Sequence, residues 1–166
     1  MTNFFRALAI GLISAIAVYF TILFNMPTWV LFITWVSFHV FGQTFRSILH
    51  TCIQIFLGIG IAVLISITGQ SLSMSFGTLS LPISVMLVIT FFVSGVHKLK
   101  PLTAIPAYFK GIIIFFGINQ PATVNNLFLM AVTVISGFFF AWLAEFLCKI
   151  ITDKMEPKDV VNFDNY

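Results

Sequence analysis

Six apolar segments fill the chain from Phe4 to Ile150, and short connections separate them. They cover residues 4–24, 28–42, 45–68, 79–96, 104–117 and 124–150. A backbone in lipid finds no water, so its N–H and C=O groups must be satisfied within the fold, by helices or a closed barrel. The runs show no alternation of apolar and polar residues, which argues against a barrel. Composition agrees. Of 166 residues, 60% are apolar and 8% charged, against about 45–50% and about 25% in a soluble domain. Eight basic and five acidic side chains cannot cover a soluble surface of this size. The expectation is an all-α integral membrane protein. It excludes soluble enzymes, secreted disulfide scaffolds and nucleic-acid-binding modules.

The basic residues set a direction. Arg6 precedes segment 1, and Arg46 follows segment 2. Lys98 and Lys100 follow segment 4, and Lys149, Lys154 and Lys158 end segment 6. The other connections, 25–27, 69–78 and 118–123, hold no charged residue. Basic loops stay in the cytoplasm. Six transmembrane segments with both termini cytoplasmic satisfy every connection. The first apolar run has a small-x-small site at 15–17 but continues through Phe24, so it reads as a retained helix rather than a signal peptide. Residues 1–150 form one transmembrane domain, and 151–166 read as a short cytoplasmic tail.

Segments 2 and 5 are short. A helix needs about 20 residues to cross about 30 Å of hydrocarbon. Both begin near a proline, Pro27 and Pro106, and both are the middle member of a three-segment half. Two such halves enter the membrane from opposite sides. An offset of 79 residues aligns Pro27 with Pro106, Gly58 with Gly137, Ala62 with Ala141, and Trp29 with Tyr108. The expectation is two inverted three-helix repeats. Short segments at matching places in two halves point to a central solute site.

Small residues recur four apart in Ala7, Gly11 and Ala15, in Gly58, Ala62 and Ser66, and in Gly137 and Ala141. Such faces let membrane helices approach closely, within one chain or between copies. Packing within the chain is the first reading.

Ionisable residues inside a membrane are functional candidates by default. Lys110, in segment 5, reads either as a charge facing a solute path or as a lysine snorkelling to the surface. Glu145 and Lys149 have the spacing of a helical ion pair. His39 reads as lining a constriction or as a hydrogen-bonded structural group, and His50 and His97 lie near the basic boundary. Aromatic residues crowd the short segments, among them Trp29, Phe32, Phe38, Tyr108 and Phe109. A path lined by such rings would pass small neutral species and reject hydrated ions. The alternative for each ring is core or lipid packing. Cys52 and Cys148 have no partner at metal spacing and read as free thiols. No HExxH, GxSxG or P-loop pattern occurs, and no metal or cofactor is implied.

The run Trp29-x2-Phe32 with Phe38, Phe41 and Gly42 resembles the first aromatic-to-glycine segment of the YcdZ-like family of small bacterial inner-membrane proteins. Pro106-x2-Phe109-x-Gly111, ending in Phe116 and Gly117, is similar to that family's second such segment. This chain departs from the family pattern at Val36, Ser37, Val40 and Gln43. The resemblance implies a compact multi-pass fold in the bacterial cytoplasmic membrane and no activity.

The functional expectation is therefore a small-solute channel or passive transporter and not an enzyme. Trp29, Phe38, His39, Tyr108 and Lys110 are the candidate lining residues. Its partners would be the lipid bilayer, a small neutral or weak-acid solute and further copies of the chain. The alternative is a non-transporting structural or accessory membrane subunit.

Overall fold

Each apolar segment forms a helix. The computed structural model describes residues 2–96, 98 and 100–155. The helices are α1 (Thr2–Leu23), α2 (Thr28–Phe41), α3 (Phe45–Phe76), α4 (Ser80–Val96), α5 (Ile105–Ile118) and α6 (Val124–Met155). The described residues contain no strand.

Local sequence explains most of the ends. Asn25 takes a left-handed backbone (φ 52°) between α1 and α2, and Pro27 caps α2. The hydroxyls of Thr21 and Thr28 lie 2.7 Å apart across that turn. Thr44 caps α3 by accepting from the Ser47 amide. Pro106 sits in the first turn of α5, where a missing N–H is harmless. Asn119 closes α5 in the left-handed region.

Two boundaries differ from the sequence expectation. The polar stretch 69–78 is not a loop: α3 continues to Phe76, and a single 3-10 turn, Gly77–Leu79, joins it to α4. Serines and Gln70 lie along this last part of α3, where water can solvate their side chains while the backbone stays helical. Gly77 (φ 51°, ψ −123°) makes the reversal. L side chains rarely adopt that conformation, at a cost of about 1–3 kcal/mol. Gly77→Ala should therefore lower the melting temperature in detergent by an amount matching a loss in that range. An unchanged melt would show that the turn relaxes freely. The second difference lies in α6, which passes residue 150 and reaches Met155. His97, Lys158 and the tail 156–166 lie outside the described residues.

Among the described residues, three helical stretches are long and apolar enough to cross a membrane: Thr2–Leu23, Phe45–Val96 and Val124–Met155. The second comprises α3, the turn and α4, and it doubles back at Gly77. The helices α2 and α5, 14 residues each, fall below that length.

Packing fixes the helix directions. The helices α1 and α6 are antiparallel: Phe20 meets Phe140 at 5.5 Å, and the Cys148 thiol lies 3.8 Å from the Arg6 carbonyl. Ile61 clusters with Val96, and Gly69 lies beside Leu81 and Ser84, so α4 runs back along α3. Gly58 abuts the Tyr108 carbonyl, and Val63 and Ser66 share a cavity with Phe115 and Phe116, so α5 runs with α3. By the same test α2 runs with α6, because Leu129 borders a cavity with Pro27 and Gly137 abuts the Leu31 carbonyl. The two short helices cross antiparallel at the centre, with Trp29 against Gly117 and Ser37 against Lys110. The start of α1, the turn between α2 and α3, the connection between α4 and α5 and the end of α6 therefore share one end. The other end gathers the connections that carry no charge.

The main core lies around this crossing and includes Val30, Leu31, Phe38, Ile55, Ile114, Phe115, Met130 and Val134. The small residues Gly58, Ala62, Gly137 and Ala141 face inward and permit the close helix contacts. Ala7, Gly11 and Ala15 do not follow that expectation. They face outward, and α1 packs on α6 through Ala9, Ile13 and Ala17. The reason is that α1 meets a single neighbour closely, so one stripe of it is buried and the other small stripe is left outside.

Candidate functional site

The helices α2 and α5 are held by different long helices, α6 and α3. Each short helix is fixed by a glycine on its long partner. Gly58 of α3 faces the Tyr108 carbonyl, and Gly137 of α6 faces the Leu31 carbonyl. Gly111 of α5 in turn lies against Ile55 and Gly58. With no side chain between them, the backbones approach closely enough for Cα–H···O contacts. The short helices are thereby pinned, and their facing sides form a seam.

A groove of about 430 Å³ runs along this seam, lined by Trp29, Phe32, Ile33, Val36, Lys110 and Ile113. Lys110 is half-buried at one end of it. Its ammonium donates to the Ser37 hydroxyl at 3.0 Å and lies 4.6 Å above the centre of the Phe41 ring. The Ser37 hydroxyl itself donates to the Ile33 carbonyl at 2.8 Å. A positive charge is thus held on α2 by neutral partners: a hydroxyl dipole and a π face. At the other end, the Trp29 ring lies over Gly117, where a Cβ would come within 2.5 Å of the indole. Trp29 also borders a second cavity of about 260 Å³, with Asn25, Pro27, Gly117 and Gln120, at the charge-free end. The indole therefore stands between the two spaces.

Of the five candidate lining residues, Trp29 and Lys110 share the groove. Phe38 and Tyr108 are buried in the core, Tyr108 with 0% of its surface exposed. The Tyr108 ring packs on Phe92 at 4.7 Å, and its hydroxyl donates to the Leu102 carbonyl at 2.8 Å. His39 is exposed on α2 and approaches Gln43, with Nδ1 and Nε2 3.3 Å apart. His50 and Glu145 are half-buried on α3 and α6.

The burial of Tyr108 follows from its place on α5, two residues before Lys110. Two residues are about 200° around a helix, so with Lys110 at the groove the Tyr108 ring turns into the core.

Sequence reasoning missed Ser37 as the partner of Lys110, and Gly117 as the seat of Trp29. Ser37 carried a signal: it is a small polar residue within α2, one helical turn before Phe41. Three further side chains lie within the helices, an amide and two thiols. Gln54, on α3, lies beside the Tyr108 phenol, and its Nε2 makes no hydrogen bond of acceptable geometry. Cys52 and Cys148 are free thiols. Among the described residues no cluster of His, Cys, Asp or Glu suits a metal ion.

No curated protein and no solved structure matches the chain. A family model does match, over residues 7–149, and its description is a protein of unknown function (DUF1097). The match spans most of α1 through most of α6 and so includes both short helices and the groove between them. The chain belongs to this DUF1097 family of unknown function.

Proposed function

We propose that this chain is a six-span protein of two inverted three-helix halves, and that it forms a passive path for a small neutral or weak-acid solute along the seam of α2 and α5. Helix lengths support the two halves: the middle helices α2 and α5 have 14 residues each. Leu31 and Tyr108 are each the fourth residue of a short helix, and each offers its carbonyl to the fourteenth residue of a long one, Gly137 or Gly58. We read the shared end with Arg6, Arg46, Lys98, Lys100 and Lys149 as cytoplasmic. The setting would be the bacterial cytoplasmic membrane, as for the YcdZ-like proteins that the chain resembles.

One observation carries the path. Trp29 borders both the groove that ends at Lys110 and the cavity at the charge-free end. Lys110 repels cations and offers a donor to oxygen atoms, while the aromatic and aliphatic walls reject hydrated ions. The groove is open along one flank, and a homo-oligomer is the arrangement in which protein closes it.

The test is stopped-flow light scattering on proteoliposomes with urea, glycerol, formate, acetate and ammonia. The path reading expects selective flux above empty liposomes. It also expects Trp29→Ala to raise that flux roughly tenfold, a lowering of the barrier by about 1.4 kcal/mol. No flux from folded, inserted protein would end the channel reading. A structural subunit would then lead, and the dense packing of Val30, Leu31, Phe38, Ile114 and Phe115 at the crossing favours that second reading.

A further inference from the structure

The charge-free end holds a space that the seam does not use. A cavity of about 400 Å³ opens between α3, the start of α4, the end of α5 and the connection that follows. Its polar lining is Ser66 and Gln70 from α3, with Asn119 and Gln120 beyond α5. Phe115, Phe116, Val63 and Ile67 supply the apolar part of the wall. Ser66 and Gln70 also line an adjoining space of about 270 Å³, together with Gly69, Ser73 and Ser80.

Each polar group at this wall is neutral, and each both donates and accepts. An amide offers two donors and a carbonyl, and a hydroxyl offers one donor and two lone pairs. Gln70 Nε2 reaches the Ser66 hydroxyl at only 3.4 Å, so both keep capacity for a ligand. Ser66, Gln70 and Ser73 follow one another at four and three residues, which places them on one face of α3. The Asn119 backbone N–H is taken by the Phe116 carbonyl, while its side-chain amide borders the cavity. An ion entering here would meet no opposite charge on the wall. A small molecule with hydroxyl or amide groups and some C–H surface would satisfy the polar wall and cover the phenyl rings.

We infer that this cavity is a binding site for a small neutral solute bearing hydroxyl or amide groups. It names the solute class for the proposed path, and it rests on that reading only for what happens after binding. Gln120 borders both this cavity and the one beside Trp29, which gives the bound solute a way to the seam.

The experiment measures modification of Ser66→Cys by a small charged methanethiosulfonate in lipid nanodiscs. The unaltered chain, labelled in parallel, gives the background from Cys52 and Cys148. Glycerol or urea should slow labelling at least about threefold at saturation, as expected when occupancy competes with the reagent. Sodium acetate should not. The protection should vanish when Gln70→Leu and Asn119→Gly are added; glycine accepts the left-handed backbone of residue 119, so the amide is removed without strain. Ala122→Cys, which lines the same cavity, repeats the measurement if Ser66→Cys folds poorly. Equal protection by acetate, protection that survives the added substitutions, or a cysteine that never labels would each overturn the site. Protection without flux would leave the site standing and remove the path, whereas flux without protection would do the reverse.

Discussion

Gly111→Ala, and equally Gly58→Ala, should abolish the monodisperse folded protein in detergent. A Cβ on Gly111 would run into the Ile55 carbonyl and the Gly58 backbone, and one on Gly58 into the Tyr108 carbonyl. All of these obstacles are main chain, so no side-chain rotation clears them. Helix propensity acts the other way, by about 1 kcal/mol in favour of alanine. Overpacking a tight core costs about 1–3 kcal/mol where side chains can adjust, and occasionally more. Here α3 and α5 would have to separate along their whole contact, so the clash outweighs the propensity. Gly60→Ala is the control. It lies on the same helix with nothing within 4 Å of the added carbon, and it should raise stability by roughly 0.5–1 kcal/mol. Size-exclusion profiles and thermal melts of the three variants decide the matter. A Gly111→Ala protein that melts with the unaltered chain would show that the helices are not in such close contact.

Lys110→Met should leave the melt unchanged within about 1 kcal/mol while flux through the proposed path falls tenfold or more. The stability side follows from opposing terms. The substitution removes a charged hydrogen bond to Ser37, which contributes about 1.5–3 kcal/mol. It also removes the contact with the Phe41 ring, which contributes about 0.5–2 kcal/mol. It relieves the cost of a cation among apolar helices, about 2.5–3.5 kcal/mol at a membrane centre. These nearly cancel, and the methionine keeps the length of the stem. Ser37 still donates to the Ile33 carbonyl, so no donor is orphaned. The flux side follows from the loss of the cation that borders the groove. A large drop in melting temperature with unaltered flux would instead mark Lys110 as a structural anchor between α2 and α5.

The groove between the short helices was partly legible in the chain. Trp29 and Lys110 stood out in the two short apolar segments, one as part of a crowd of aromatic rings and the other as an ionisable group, and both border it. Phe38 and Tyr108 stood out for the same reason and are buried. Side-chain type cannot separate these cases, because an aromatic ring suits a path and a core equally. What separates them is the angular position on the helix, and that depends on where each helix begins. Tyr108 lies two residues before Lys110 on α5, about 200° around the helix, and so faces the core while Lys110 borders the groove.

The sequence by itself determined that the chain forms a succession of six apolar helices joined by short connections. In lipid an apolar backbone has almost no alternative to the helix, and prolines, asparagines and glycines mark the connections. It also determined that basic residues alternate with charge-free connections along the chain. Only the tertiary structure decided that 69–76 continues α3, that the small stripe of α1 faces outward, and that Lys110 reaches Ser37 across 73 positions. Each depends on which helix lies alongside which, and hence on the glycine contacts that let backbones touch. Those contacts join residues far apart in the chain: the spacing of small residues marks faces that can pack closely, and only the fold pairs each with its partner.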